Sequence, residues 1–347
     1  MLLLSAYRSD SHASWADTLP NLYAADWRVL ELPGRYFRWR IRGNPLSWLD
    51  EINALLCDWQ PDVVMATSMV DLATLRGLHP RLAAVPALYY FHENQFAYPQ
   101  GEGQHASIDP QMVQLYGALA ADSIAFNSAF NRDSFMQGIE QLWQKLPDAL
   151  PADIVPRLQQ RSRVLPVAVK PVSMGTKNPQ LIVWNHRWEY DKKPDDFLAV
   201  LQRLAHEGRD FQLALLGPRP ERTPPALAAI RSEFADRIVV DGRVSRAEYE
   251  QWLGQGQVVL STAIHEFQGL SMLEAASAGC VPIVPDDLCY REQYPASHGY
   301  PAGDLISASQ RVMAALDGQL APVTVSSWLA EQVSPQWQHW LRAYESM

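Results

Sequence analysis

Two glutamates eight positions apart, Glu266 and Glu274, bracket a glycine turn in the segment Ser261–Gly279, STAIHEFQGLSMLEAASAG. The apolar run that ends at Ser261 reads as a buried strand, and a helix opens near Gly269. One carboxylate then stands in the loop at the helix mouth, and the other about one turn inside the helix. Gly269 lets a ligand approach the backbone, and the N–H groups of Gly269, Leu270 and Ser271 point at whatever anion sits there. Carboxylates grip hydroxyls and helix-end amides grip phosphate, so the pattern suits a sugar diphosphate. By spacing alone a plainer reading is favoured, with Glu274 a solvated helix residue and Glu266 a surface loop charge. A second element shifts the balance. In Trp184–Pro194, WNHRWEYDKKP, Arg187 and Lys192 stand five apart in another strand-to-helix loop. A departing diphosphate gains negative charge as the glycosidic bond breaks, and cations fixed there act where that charge develops. Ordinary surface charge around a turn describes Lys192 and Lys193 well, and Arg187, between His186 and Trp188, less well.

These loops need a scaffold that places strand ends side by side, and the chain supplies one twice. In the first half, β-rich runs at Leu2–Ala6, Arg28–Leu32, Asp62–Thr67, Ala87–Phe91 and Ser123–Asn127 alternate with helical stretches. The second half repeats the plan at Leu181–Trp184, Gln212–Leu216, Ile238–Val240, Val258–Ser261 and Pro282–Val284. Several runs are continuously apolar, as in strands buried on both faces of a parallel sheet. The expected fold is α/β, with two doubly wound Rossmann-like domains facing each other across a cleft, ligands lying at the carboxyl ends of the strands. The Pro- and Gly-bearing stretch Val164–Gln180 reads as the linker. We place the first domain at 1–168 and the second at 169–325. The remainder, 326–347, holds an amphipathic helix with Trp337, Trp340 and Leu341 on one side, expected to pack back on the first domain.

The 347 residues include 48% hydrophobic and 19% charged ones, an ordinary globular balance, with a net charge of −9. Nucleic-acid binding through bulk charge is excluded, though a local basic patch is not. No apolar run reaches the length of a spanning helix, so no membrane partner is expected. Cys57, Cys280 and Cys289 are too few and too scattered for a disulfide framework or a zinc site. A reducing, cytoplasmic setting is expected. No two aspartates stand two apart, and no His/Cys/carboxylate cluster has ligand spacing, so neither a metal nor a cofactor is expected.

In the first half, His92 follows an apolar run and is succeeded by Glu93, Asn94 and Gln95, a cluster suited to hydroxyls; a satisfied core histidine is the alternative. Ser128 reads as a helix N-cap. Ser11 and His12, after the first run, could face phosphate or acceptor. Gly34–Asn44, GRYFRWRIRGN, is the densest basic run. If extended, it puts Arg38, Arg40 and Arg42 on one face and Phe37, Trp39 and Ile41 on the other. Such a face suits RNA phosphates, and equally a solvated edge strand protected by its charges.

Arg187 with Lys192, followed by Glu266-x7-Glu274, resembles the retaining GT-B glycosyltransferases of family 4. Where that family has Gly-Phe-Gly after the first glutamate, this chain has Phe267-Gln268-Gly269. The segments YYFHENQFAYP, DSIAFNSAFNRDSF, HRWEYDKKP and STAIHEFQGLSMLEA are similar to a narrower branch, the tRNA-queuosine mannosyltransferase-like proteins. The resemblance implies an enzyme in which Arg187 and Lys192 hold the donor diphosphate, Glu266 contacts the transferred sugar and Glu274 the ribose. It adds Phe267 to the donor-binding turn and presents His92 towards the donor sugar. It implies GDP-mannose as donor and the queuosine of a tRNA anticodon as acceptor. Changed acceptors (a glycan, a lipid or a small metabolite) and a nucleotide-binding protein without catalysis are the rival readings.

Overall fold

Among the described residues, twelve strands form two separate parallel sheets of six. The computed structural model describes residues 1–99, 107–149, 151–220 and 222–345. The chain divides into two units, Met1–Ala168 with Val333–Met347, and Val169–Gln332.

The first unit contains β1 (Leu2–Arg8), β2 (Arg28–Pro33), β3 (Val64–Thr67), β4 (Ala87–Phe91), β5 (Ser123–Phe126) and β6 (Ser162–Val164). Their order is β2-β1-β3-β4-β5-β6, all parallel. The strands β3, β4 and β5 are buried at every residue, which accounts for their unbroken apolar sequences. The sixth strand, β6, was not expected; it has three half-buried residues and too short an apolar signal to read. The tail helix Ala330–Glu345 buries Trp337, Trp340 and Leu341. Within this unit the Trp337 indole N–H donates to the Pro166 carbonyl (2.8 Å) and the Trp340 N–H to Ser123 Oγ (2.9 Å).

The second unit contains β7 (Leu181–Trp184), β8 (Gln212–Leu215), β9 (Ile238–Asp241), β10 (Val258–Leu260), β11 (Val281–Pro285) and β12 (Gly299–Tyr300). Read from one edge, the order is β9-β8-β7-β10-β11-β12, again all parallel. Strand order reverses between β7 and β10. Loops leaving the carboxyl ends of two such strands diverge to opposite faces of the sheet and open a crevice between them.

The segment read as a possible extended run at Arg38–Arg42 is instead part of a helix, Phe37–Ser47. Six alternating residues fit period 2, but the buried Ile41, Asn44, Pro45 and Trp48 follow the 3–4 spacing of a helical face. The buried Asn44 amide locks this geometry by donating to the Arg40, Ile41 and Met69 carbonyls. The three arginines therefore do not share a face in the way an extended segment would impose.

Candidate functional site

At the β7–β10 crevice, two loops distant in sequence are laced together. Residues 185–189 leave β7 and enter a single 3-10 turn, Tyr190–Lys192. Lys193 follows with a left-handed backbone (φ 51°), and the helix Pro194–His206 begins with proline at its first position. Thr262, just past β10, donates its hydroxyl to the Lys192 and Lys193 carbonyls at 2.8 and 3.0 Å. The Ile264 N–H donates to the Asp191 carbonyl at 2.9 Å. This lacing brings Lys192 to Glu266.

The Lys192 ammonium is buried and has three acceptors. It donates to the His265 carbonyl (2.7 Å) and to Glu266 Oε2 (3.1 Å), and lies 3.2 Å from Asp191 Oδ2. Burial alone would lower its pKa, but Glu266 and Asp191 more than offset that, so it is raised and the side chain stays charged. Burial pushes the Glu266 carboxyl up, whereas Lys192 and the Gly269 N–H pull it down, to about 2. Glu266 is thus a fixed carboxylate. Arg187 is different. Its side chain is 50% exposed and pairs with Glu189 at 2.9 Å, with Asp191 at 3.8 Å. By sequence Lys192 is the more ordinary surface charge of the two; the structure reverses this, burying Lys192 as a support for Glu266 and leaving Arg187 half exposed.

His186, which the sequence offers only as a neighbour of Arg187, completes the cluster. It is 2% exposed, and among the described residues neither ring nitrogen has a hydrogen-bond partner. Burial, followed by the nearby Lys192 charge, holds its pKa down to about 4, so the ring is neutral at pH 7. Asp191 Oδ1 is likewise buried without a partner. Polar atoms idle beside an ion cluster are costly unless a ligand meets them. The available signal was position, since His186 stands directly beyond the carboxyl end of a fully buried strand.

Gly269 begins the helix Leu270–Ser277 with φ 63°, and no side chain caps it. The amides of Leu270 and Ser271 lie in the first turn of that helix, where backbone N–H groups have no intrahelical acceptor. A Cβ on Gly269 would lie 3.0 Å from the Tyr290 ring, in a backbone conformation that side chains rarely adopt. Phe267 is buried, its ring edge-on to His265 at 4.5 Å. Glu274 is held elsewhere in the same unit. Its two oxygens accept from Arg246 (2.8 Å) and from the Tyr249 hydroxyl (3.0 Å). That hydroxyl accepts from the Asn185 amide at 3.1 Å, and the same amide donates to the Ser271 carbonyl at 2.8 Å. Arg246, Tyr249 and Asn185 thus join Glu274 to the β7 loop. Spacing gave no hint of them, because Arg246 and Tyr249 lie in a separate helix, Arg246–Gln255, which opens on a capping box at Ser245 and Glu248.

The first unit gathers a second cluster at the ends of β1 and β4. The rings of His12 and His92 stack at 4.2 Å and 25°. Trp15 and Tyr90 stand edge-on to His92 at 4.5 and 4.7 Å. Since a carbonyl can only accept, His12 Nδ1 donates to Tyr7 O at 2.8 Å. Burial depresses His12 to about 4, and burial, followed by the neighbouring His12, holds His92 well below the usual imidazole range. Both rings are neutral at pH 7, and His92 Nε2 is buried without a partner among the described residues. Ser11 is exposed beside them. Asn94 has another task. Its amide donates to Asn131 and Ser134, and its oxygen accepts from the Phe96 and Ala97 N–H groups. All its polar capacity shapes the loop, so the structure removes it from the hydroxyl-binding cluster. Glu93 is half-buried beside Gln95. Ser128 is the expected N-cap, accepting from the Asn131 N–H at 2.9 Å.

Of the three arginines, Arg42 pairs with Asp71 at 2.8 Å while remaining 55% exposed. Arg40 is half-buried, and Arg38 is exposed. Among the described residues, no group of three or more His, Cys, Asp or Glu side chains could hold a metal ion, and no helix is long and apolar enough to cross a membrane. Burial pushes the Cys280 thiol up to about 11, so it does not offer a thiolate at neutral pH.

The sequence matches two family models: the amino-terminal part of tRNA-queuosine alpha-mannosyltransferase over residues 1–169, and glycosyl transferases group 1 over residues 179–295. A tRNA-queuosine alpha-mannosyltransferase of Drosophila melanogaster is 31% identical over 322 residues, covering 88% of this chain and 85% of its own. Among solved structures, a sucrose-phosphate synthase from Thermosynechococcus elongatus superposes with a TM-score of 0.72 at 12% identity, covering 99% of this chain and 98% of its own. The lipopolysaccharide outer core galactosyltransferase WaaB does so with a TM-score of 0.62 at 13% identity, with the same two coverages. The fold is GT-B.

Proposed function

The chain belongs to the tRNA-queuosine alpha-mannosyltransferase family and is a glycosyltransferase, and on that premise we propose that it moves mannose from GDP-mannose to the queuosine of a tRNA anticodon. One observation supports the donor site above the rest. The crevice where strand order reverses holds an ionised carboxylate, a buried ammonium, an accessible guanidinium and an uncapped helix end together. The proposed division of labour follows their geometry. Arg187 and the Leu270 and Ser271 amides face the diphosphate and take up the charge that develops as it leaves. Lys192 holds Glu266, which accepts from the sugar hydroxyls. Glu274 grips the ribose from its Arg246–Tyr249 support. His92 serves the acceptor as a neutral hydrogen-bonding group.

Protein cations do the electrostatic work in this reading, so turnover persists in excess EDTA. Complete loss on chelation, restored by Mg²⁺, would contradict the proposed donor site. The reaction itself is tested by incubating the protein with GDP-mannose and queuosine-containing tRNA and weighing the digested nucleosides. Queuosine heavier by one hexose is the expected result. Unmodified queuosine, with donor consumed on some other acceptor, would overturn the assignment.

A further inference from the structure

We propose that Trp39 is a stacking platform for an unpaired RNA base, flanked by arginines that hold the adjoining phosphates. This rests on the tRNA reading above and names the surface of the first unit that would meet the acceptor. In the helix Phe37–Ser47, positions 38, 39, 42 and 46 fall within one sector of about 100°. They are Arg38, Trp39, Arg42 and Leu46, all exposed. Trp39 is 51% exposed, although an indole gains from burial. Its placement is specific. A Cβ on Gly43 would lie 2.4–2.6 Å from three indole atoms, Cε2, Cδ2 and Cζ2. Near-equal distances to three ring atoms mean that the ring lies flat over the Gly43 backbone. One face is therefore seated, and the opposite face is turned outward.

The surroundings are basic and aromatic together. Arg38 and Arg42 stand on the same sector as the indole. Before the helix, Tyr36 is 68% exposed with a left-handed backbone (φ 59°), and Arg35 lies over its ring at 5.5 Å. Gly34 sets this turn, since a Cβ there would meet the Arg8 carbonyl oxygen at 2.5 Å. An apolar protein partner would not call for guanidinium groups interleaved with the rings. A single-stranded nucleic acid calls for both, since its bases stack on aromatic faces and its phosphates pair with arginine. In a chain of net charge −9, such a patch gives RNA a local attraction that bulk charge does not. The helix also sorts the arginines, because Arg40 lies about 160° around the axis from Arg42 and is half-buried.

The test is equilibrium binding of a queuosine-containing anticodon stem-loop to the full chain across a salt series. Trp39→Leu keeps cover over Gly43 but has no aromatic face, and should weaken binding roughly 5- to 150-fold with the salt slope unchanged. Trp39→Phe should recover most of the affinity. Arg38→Gln should flatten the slope of log affinity against log salt by about 0.7, and Arg40→Gln should leave it unchanged. A Trp39→Leu protein that binds as tightly as the wild type overturns the platform. Because binding is read without turnover, the two readings fail separately. Trp39-dependent binding without mannose transfer would sink the proposed reaction alone, whereas transfer with Trp39-independent binding would sink the platform alone. A wild-type chain that does not bind the stem-loop would sink both.

Discussion

Lys192→Ala should be the most damaging single change in the second unit, lowering both stability and turnover. The ammonium it removes is buried and neutralises Asp191 and Glu266. Breaking a buried pair by deleting one partner costs about 3–5 kcal/mol, because the remaining carboxylates lose their compensation. The proposed role of Lys192 in placing Glu266 adds a turnover loss on the order of 10²–10³. The sign of the pH dependence follows from Glu266. Its pKa is depressed from the ordinary 4.5 to about 2, so its stabilisation is present above 4.5 and lost as pH falls towards 2. The gap in melting temperature between wild type and Lys192→Ala should therefore be widest near neutral pH and narrow below 4.5. Arg187→Ala separates charge from architecture. Its exposed pair with Glu189 is worth at most about 1 kcal/mol and its contact with Asp191 is long at 3.8 Å, so the fold should be undisturbed while turnover falls by a similar factor of about 10²–10³. Thermal melts beside donor turnover check both variants. A stable Lys192→Ala protein, or an Arg187→Ala protein with near-wild-type activity, would contradict these assignments.

Glu266→Gln and Glu274→Gln should fail in different ways. Glu274 accepts from Arg246 and Tyr249 and is proposed to reach the ribose, so its amide variant should bind GDP more weakly by roughly 10-fold or more. Glu266 sits at the helix mouth against Lys192 and is proposed to meet the sugar. Glu266→Gln should keep GDP affinity within about threefold while productive turnover drops on the order of 10- to 100-fold. Calorimetric titration with GDP and with GDP-mannose distinguishes them. Equal loss of GDP affinity in both variants would dissolve the division of roles.

What the sequence by itself determined was the frame. Strands buried on both faces must be apolar at every position, so β3, β4, β5, β7, β10 and β11 were legible as unbroken runs in an alternating α/β pattern. The loops following them were then the natural home of Arg187, Lys192, Glu266 and His92, because doubly wound sheets present ligands at strand carboxyl ends. Short, weakly apolar β6 and β12 left no such trace.

Partnership was decided only in the tertiary structure. By sequence Lys192 reads as the more ordinary surface charge, yet Thr262 and Ile264 lace the turn to a distant loop and bury it against Glu266 while Arg187 stays half exposed. Asn94 looked like a hydroxyl ligand until Asn131 and Ser134 were found to use its amide. The Arg246–Tyr249–Asn185 support was silent because its hydrogen-bond partners lie dozens of residues apart, beyond any local pattern. The run Phe37–Arg42 shows the limit most plainly. Alternation over six residues fits a strand and a helix equally, and burial of Ile41, Asn44 and Trp48, set by packing the sequence does not display, selects the helix.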